Sequence, residues 1–193
     1  MTINPLSLEL GAEHRRDLVQ RAADHRRPGT ARRRRRLPLR VRQIRPDDGR
    51  LVAEIFAGLG LASRFSRYLT GKPRLSAAEL RYFTEVDHRD HEALIAVTRN
   101  RGEAIGVARY VRDRQHPTHA EVAIEVVDDW QNRGVGSLLA ARLSARAKHE
   151  GISHITALMT ADNVRSRRLL ERIGTLTGIT RDGAAVTYDA VLT

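Results

Sequence analysis

The stretch that decides the reading of this chain is Glu121-Val122-Ala123-Ile124-Glu125-Val126-Val127-Asp128-Asp129-Trp130-Gln131-Asn132-Arg133-Gly134-Val135-Gly136-Ser137-Leu138-Leu139. Glu121 to Val127 is rich in β-branched residues and reads as a strand. A short loop with two glycines follows. A helix then runs from Gly136 to Glu150, with Leu138, Leu139 and Leu143 inside and Gly151 as its stop. Glycines let the backbone approach a ligand and turn successive N–H groups one way. The helix N-terminus adds about half an elementary positive charge. Together they form an anion cradle suited to a pyrophosphate. No Gly-Lys-Ser/Thr follows at P-loop spacing, and the single Gly-x-Gly falls short of the dinucleotide fingerprint. Taken alone, the stretch leaves open a tight strand-to-helix turn with no ligand.

The same strand carries Glu121 and Glu125, four apart and on one face, with Ala123 between them. A carboxylate buried on a strand is costly unless paired or functional. Burial moves such a group toward the working range of a general base.

Working outward, residues 39–44 alternate as a first strand, which Pro46-Asp47-Asp48 ends. A helix bearing Leu51, Val52, Ile55 and Leu59 follows. Ser76-Ala77-Ala78-Glu79 has capping-box form and opens a second helix with Leu80 and Phe83. Strands over Leu94–Val97 and Ile105–Val111 flank the turn Asn100-Arg101-Gly102-Glu103 and predict a hairpin. Beyond the central helix come a strand over His154–Thr160, a helix from Asn163 to Ile173 ending at Gly174, and strands over Thr175–Ile179 and Ala185–Val191. The order β-α-α-β-β-β-α-β-α-β-β predicts an α/β (α+β) fold, a mixed central sheet of seven strands flanked by helices.

The chain has 193 residues and a net charge of +11. Residues 1–45 hold 13 Arg against four acids, whereas residues 46–193 are nearly balanced. Residues 1–38 therefore read as a basic, largely flexible arm, with a thin helical stripe over 7–25 and a linker over 26–38 containing the run Arg32 to Arg36. No aromatic residue lies in the arm to stack on bases, so a solvated tail is favoured over nucleic-acid docking. Zero Cys excludes disulfides, thiolate metal sites and a cysteine nucleophile. No apolar run approaches the roughly 20 residues of a membrane span, and no signal-peptide segment follows Met1. These features fit a cytoplasmic protein. His88, Asp90 and His91 cluster after the second helix, but a loop bordering a cleft is expected there rather than a metal site.

Gln131-Asn132-Arg133-Gly134-Val135-Gly136 resembles the Gln/Arg-x-x-Gly-x-Gly/Ala acyl-CoA pyrophosphate loop of the GNAT N-acetyltransferase superfamily. Downstream, Asn163-x-x-Ser166-x-x-Leu169-Leu170-x-x-x-Gly174 resembles the second signature of that family. The resemblance covers roughly residues 39–193. Val41-Arg42-Gln43-Ile44-Arg45-Pro46-Asp47-Asp48, Ser63-Arg64-Phe65 and Ala120-Glu121-Val122-Ala123-Ile124 are similar, more narrowly, to the catalytic domain of bacterial Pat-type protein-lysine acetyltransferases. The second signature departs in having Leu170 where many members have a Tyr able to protonate the leaving thiolate, and Thr175 where an aromatic is usual.

The resemblance implies acetyl-CoA as cosubstrate, no metal, and an amine acceptor, a protein lysine or a small molecule. A lysine amine, with a pKa of about 10.4, must lose a proton before it can attack. Glu121 lies ten residues before Gln131, as does the proposed base of Pat-type domains. It is therefore the first candidate base, with Glu125 the second. A backbone N–H in the Val126–Val127 region would stabilise charge on the thioester oxygen. Gln131, Asn132, Arg133, Gly134, Val135, Gly136 and Ser137 would hold the pyrophosphate, and Asn163 and Ser166 the pantetheine arm. Arg165, Arg167 and Arg168 crowd one short helix; a solvated face is expected, with the CoA 3′-phosphate as the alternative. The competing reading is a catalytically weak acyl-CoA sensor whose basic arm docks on nucleic acid.

Overall fold

The computed structural model describes residues 39–68 and 73–193. The readings made over 1–38, the helix at 7–25 and the linker at 26–38, lie outside these residues. Seven strands form one sheet: β1 (Leu39–Gln43), β2 (His91–Thr98), β3 (Ala104–Arg112), β4 (His119–Val126), β5 (His154–Thr160), β6 (Gly174–Asp182) and β7 (Ala185–Leu192). Their order is β1-β2-β3-β4-β5-β7-β6. Among the described residues there are five helices: α1 (Gly49–Ala57), α2 (Leu61–Tyr68), α3 (Ala77–Thr84), α4 (Val135–His149) and α5 (Val164–Ile173). Short 3-10 turns occupy Pro46–Asp48 and Asp128–Trp130. No described helix is long and apolar enough to cross a membrane.

Helices cover both faces of the sheet, so β2 and β3 are buried along nearly their whole length. On one face α4 and α5 pack a core that includes Leu94, Ala108, Tyr110, Leu139, Leu143, Ile155 and Leu170. On the other, α1 and α3 enclose Val52, Ile55, Phe83, Ala93, Ile95 and Val107. The expected hairpin is β2–β3, antiparallel. The Arg-Pro-Asp-Asp segment explains itself locally. Both Asp48 oxygens receive the Arg42 fork, at 2.5 and 2.7 Å, and one also accepts from the Arg45 backbone N–H at 2.8 Å. Arg42 holds the Asp48 carboxyl below the ordinary carboxylate range, chiefly through those hydrogen bonds. The pair thus fixes the corner from β1 into α1.

Two expectations change. Leu59 lies beyond the end of α1, which stops at Gly58. Between α1 and α3 stands α2, a helix the pattern reading did not contain. Its sequence, LASRFSRY, offers too thin an apolar stripe to register, and polar ties hold it in place instead.

The feature that positions the site is the junction of β4 and β5. It is the one parallel pairing among the described residues, and it lasts for three pairs: His119↔His154, Ala120↔Ile155 and Glu121↔Thr156. On its other edge β4 stays in register with β3 as far as Val126. Beyond Glu121 the two strands part, and the sheet opens.

Candidate active site

A cavity of about 660 Å³ occupies that opening. Val122 to Val126 of β4 and Ala157 to Met159 of β5 line it, with Gly134, Gly136 and Ser137 at the start of α4, Asn163 and Ser166 at the start of α5, and Ser63, Ser66 and Arg67 of α2. Because α4 and α5 cover one face and α2 the other, the cavity passes through the sheet.

The loop from Val126 to α4 is built for a ligand at its helix end. Gly134, at φ +88°, is the N-cap of α4, and no side chain caps the helix. The first N–H groups of a helix lack intrahelical acceptors, and here they face the cavity. A Cβ at Gly136 would lie 3.2 Å from Leu169 Cδ1 and 3.8 Å from Val126 Cγ2, so a side chain there would fill the cradle. These features fit an anionic group such as a pyrophosphate. Gln131 braces the loop rather than facing a ligand freely. Its Nε2 donates to Ser63 Oγ, the Val126 carbonyl and Asp128 Oδ1, and its Oε1 accepts from Arg165. Asp128 also accepts from the Gly60 N–H and Ser63 Oγ, which ties the start of α2 to the same loop.

Asn132 lines the cavity with φ +58°. Three other predicted residues do not form its wall. Arg133 stands over the Trp130 ring, 5.2 Å from the centroid. Val135 is a core residue at 1% exposure. Val127 donates its N–H to the Ile105 carbonyl at 3.1 Å, which extends the ladder to β3. Its N–H is therefore already engaged. Alternation along an antiparallel strand turns the Val126 N–H the opposite way, toward the opening. Of the Val126–Val127 region, Val126 carries the donor that faces the cavity.

Asn163 and Ser166 line the cavity together, and Asn163 Oδ1 caps α5 by accepting from the Ser166 N–H at 3.0 Å. Capping uses the amide oxygen and leaves the Asn163 NH₂ group for the cavity. Leu170 is a core side chain with no acid to offer.

The two carboxylates differ sharply. Glu125 is buried inside the cavity wall, where Arg67 Nε and Tyr68 Oη donate to it at 3.0 and 3.1 Å. Burial, and then the Glu125 carboxylate, push the Tyr68 hydroxyl well above its ordinary value. Arg109, fully buried, stacks on Phe83 at 3.9 Å, and burial lowers its pKa while Glu125 opposes that. The buried Glu125 carboxylate thus pairs with Arg67 and acts on Arg109 only through its charge. Glu121 sits at the fork itself, one residue before the cavity wall begins. It is partly exposed and makes no hydrogen bond or ion pair among the described residues. It lies on the Glu125 face of β4, opposite the face that carries the α4 cradle.

His88, Asp90 and His91 do not converge. His88 pairs with Glu92, Asp90 with Arg112, and His91 packs on Tyr82. Burial, and then Arg109, push the His91 imidazole down to about 4. The expected solvated arginine face divides in two. Arg167 pairs with Glu171, whereas Arg165, Arg168 and Arg172 line the cavity. Composition pointed to the first three of these arginines, and helical spacing sorts them. Arg172 escaped notice because it stands apart from the run.

The fold agrees with that of known proteins. Acetyltransferase Pat of Mycolicibacterium smegmatis is 38% identical over 97 residues, which make up 50% of this chain and 29% of that protein. This chain thus matches less than a third of that relative's length. Acetyltransferase PA5475 of Pseudomonas aeruginosa is 25% identical over 136 residues, 69% of this chain and 73% of that protein. The crystal structure of the GNAT domain of S. lividans PAT superposes with a TM-score of 0.72 at 28% identity, covering 80% of this chain and 90% of that one. The sequence pattern of the acetyltransferase (GNAT) family matches residues 59–175, from the end of α1 into β6. The chain therefore belongs to the acetyltransferase (GNAT) family.

Proposed function

We propose that this protein transfers an acetyl group from acetyl-CoA to the side-chain amine of a protein lysine, with Glu121 as the general base. One observation carries the reading. The cavity passes through the sheet at the fork, with the anion cradle of α4 on one face and the unpaired Glu121 carboxylate on the other. Acetyl-CoA supplies the activated acyl group. The N–H groups at the start of α4 hold its pyrophosphate, Asn163 and Ser166 meet the pantetheine arm, and the Val126 N–H donates to the thioester carbonyl oxygen as charge gathers there. Glu121 takes a proton from the acceptor ammonium on the opposite face. Glu125 is tied to Arg67 and Tyr68 and serves to position α2 against β4.

Likeness to the Pat proteins supports a protein acceptor. So does the fate of the acids that a small polycation would need. Asp87 accepts from the backbone N–H groups of Arg89, Asp90 and His91. Asp90 pairs with Arg112. Glu92 is fully buried among Gln43, His88, Arg146 and the Ala93 N–H. None of the three lines the cavity. The test is incubation with acetyl-CoA and a panel of lysine peptides and proteins, read by mass spectrometry. Acetyl-lysine formed by the wild type and lost in Glu121→Gln supports the reading. Acetylation of a small amine alone would redirect it.

A further inference from the structure

The arginines of α5 are placed to do more than solvate a helix. Arg165, Arg168 and Arg172 stand at i, i+3 and i+7, one face of the helix, and all three line the cavity. Their row spans about 10 Å along the helix axis. Two of them lean across the mouth to the loop of α4. Arg165 donates to Gln131 Oε1 at 2.9 Å, and Arg172 to Ser137 Oγ at 2.8 Å. A guanidinium has five N–H donors, so each keeps others free. Arg168, between them, has no hydrogen-bond or ion-pair partner among the described residues. The sole carboxylate among the described lining residues is Glu125, which is already committed to Arg67 on the far side of the sheet. The mouth therefore carries three cations that no acid in its wall offsets.

A pyrophosphate bound on the N–H groups at the start of α4 leaves this row to spare. Resting on the acetyl-CoA reading above, we infer that Arg165, Arg168 and Arg172 form a clamp for the ribose 3′-phosphate of CoA, with Gln131 and Ser137 as the posts that hold the outer two forks. The clamp makes the protein selective for 3′-phosphorylated CoA over dephospho-CoA, which carries the same pyrophosphate, pantetheine and thiol. Ser137, expected from sequence to touch the pyrophosphate, acts instead through Arg172.

The test is calorimetric titration of the full chain with CoA and with dephospho-CoA. It is run on the wild type, on Arg168→Gln, on the triple variant Arg165→Gln/Arg168→Gln/Arg172→Gln, and on Arg167→Gln. The last removes the same charge from the opposite face of α5. The wild type is expected to prefer CoA by about tenfold or more, the scale of one or two charge-assisted hydrogen bonds. Arg168→Gln narrows that preference, the triple variant abolishes it, and Arg167→Gln leaves it intact. Equal affinity of the wild type for both ligands overturns the clamp and leaves the acetyltransferase reading standing. A preference that persists in the triple variant, or that falls as far in Arg167→Gln, also overturns it. Failure of the folded wild type to bind either ligand overturns both.

Discussion

Glu121 and Glu125 are the same residue type four positions apart on one strand, yet their substitution by Gln should separate stability from catalysis. Glu125→Gln removes the one carboxylate facing Arg67, whose side chain is 17% exposed, and the fully buried Arg109. Breaking a buried pair by deleting one partner costs about 3–5 kcal/mol. The lower end applies here, because the amide still accepts from Tyr68. At about 2–4 °C per kcal/mol for a chain of this length, melting should fall by about 6–12 °C. Glu121→Gln removes a carboxylate with no partner among the described residues. Its stability should stay within about 0.5 kcal/mol, or about 2 °C. Its acetyl-transfer rate should fall by about 10²–10⁴, the worth of a positioned base. Differential scanning fluorimetry reads the first pair of numbers. CoA thiol release in the presence of a lysine acceptor reads the second. A Glu121→Gln variant that turns over at the wild-type rate refutes the assignment of the base. A Glu125→Gln variant that melts with the wild type refutes the structural role of the buried pair.

Other consequences follow from the same geometry. Gly136→Val would push methyls into Leu169 and the cradle; CoA affinity measured by calorimetry should drop at least about tenfold while the fold persists. Asn163→Ala removes the cap on α5 and should cost about 1 kcal/mol in urea melts, together with weaker acetyl-CoA binding. His91 titrates near 4 in the folded chain against an ordinary 6.5, so it stays neutral when folded and takes a proton on unfolding. Its contribution is complete above about pH 6.5 and is lost as pH falls toward 4, to a limit of about 3 kcal/mol at about 1.4 kcal/mol per pH unit. His91→Phe should flatten that part of the stability-versus-pH curve.

Much of this was legible before any coordinates. The glycine loop between strand and helix, the Asn-x-x-Ser start of α5 and the β2–β3 hairpin each depend on residues adjacent in sequence, where spacing and backbone preference speak directly. What resisted reading depends on partners far apart. The helix α2 is polar and short, and it is held by Asp128 through Gly60 and Ser63 and by Glu125 through Arg67 and Tyr68, contacts spanning 57 to 68 positions. Glu121 and Glu125 look alike in sequence because what distinguishes them is which helix lies over each. The arginines of α5 were visible as charge. Their division into a solvated one and a cavity-facing row needed the neighbouring α4.

The parting of β4 from β5 has a consequence for motion. Mid-sheet amides are ordinarily the slowest in a protein to exchange with solvent, because their hydrogen bonds open only with the whole domain. The N–H groups of Ile124 and Val126 lie mid-sheet yet face an opening instead of a neighbouring strand. In the free protein they should exchange like loop amides, flanked by slow ones at positions 123, 125 and 127 that are bonded to β3. A bound molecule whose own amides fill the gap would close the missing ladder and slow them. The sheet is then two leaves joined at three residue pairs, and its ligand completes the weave.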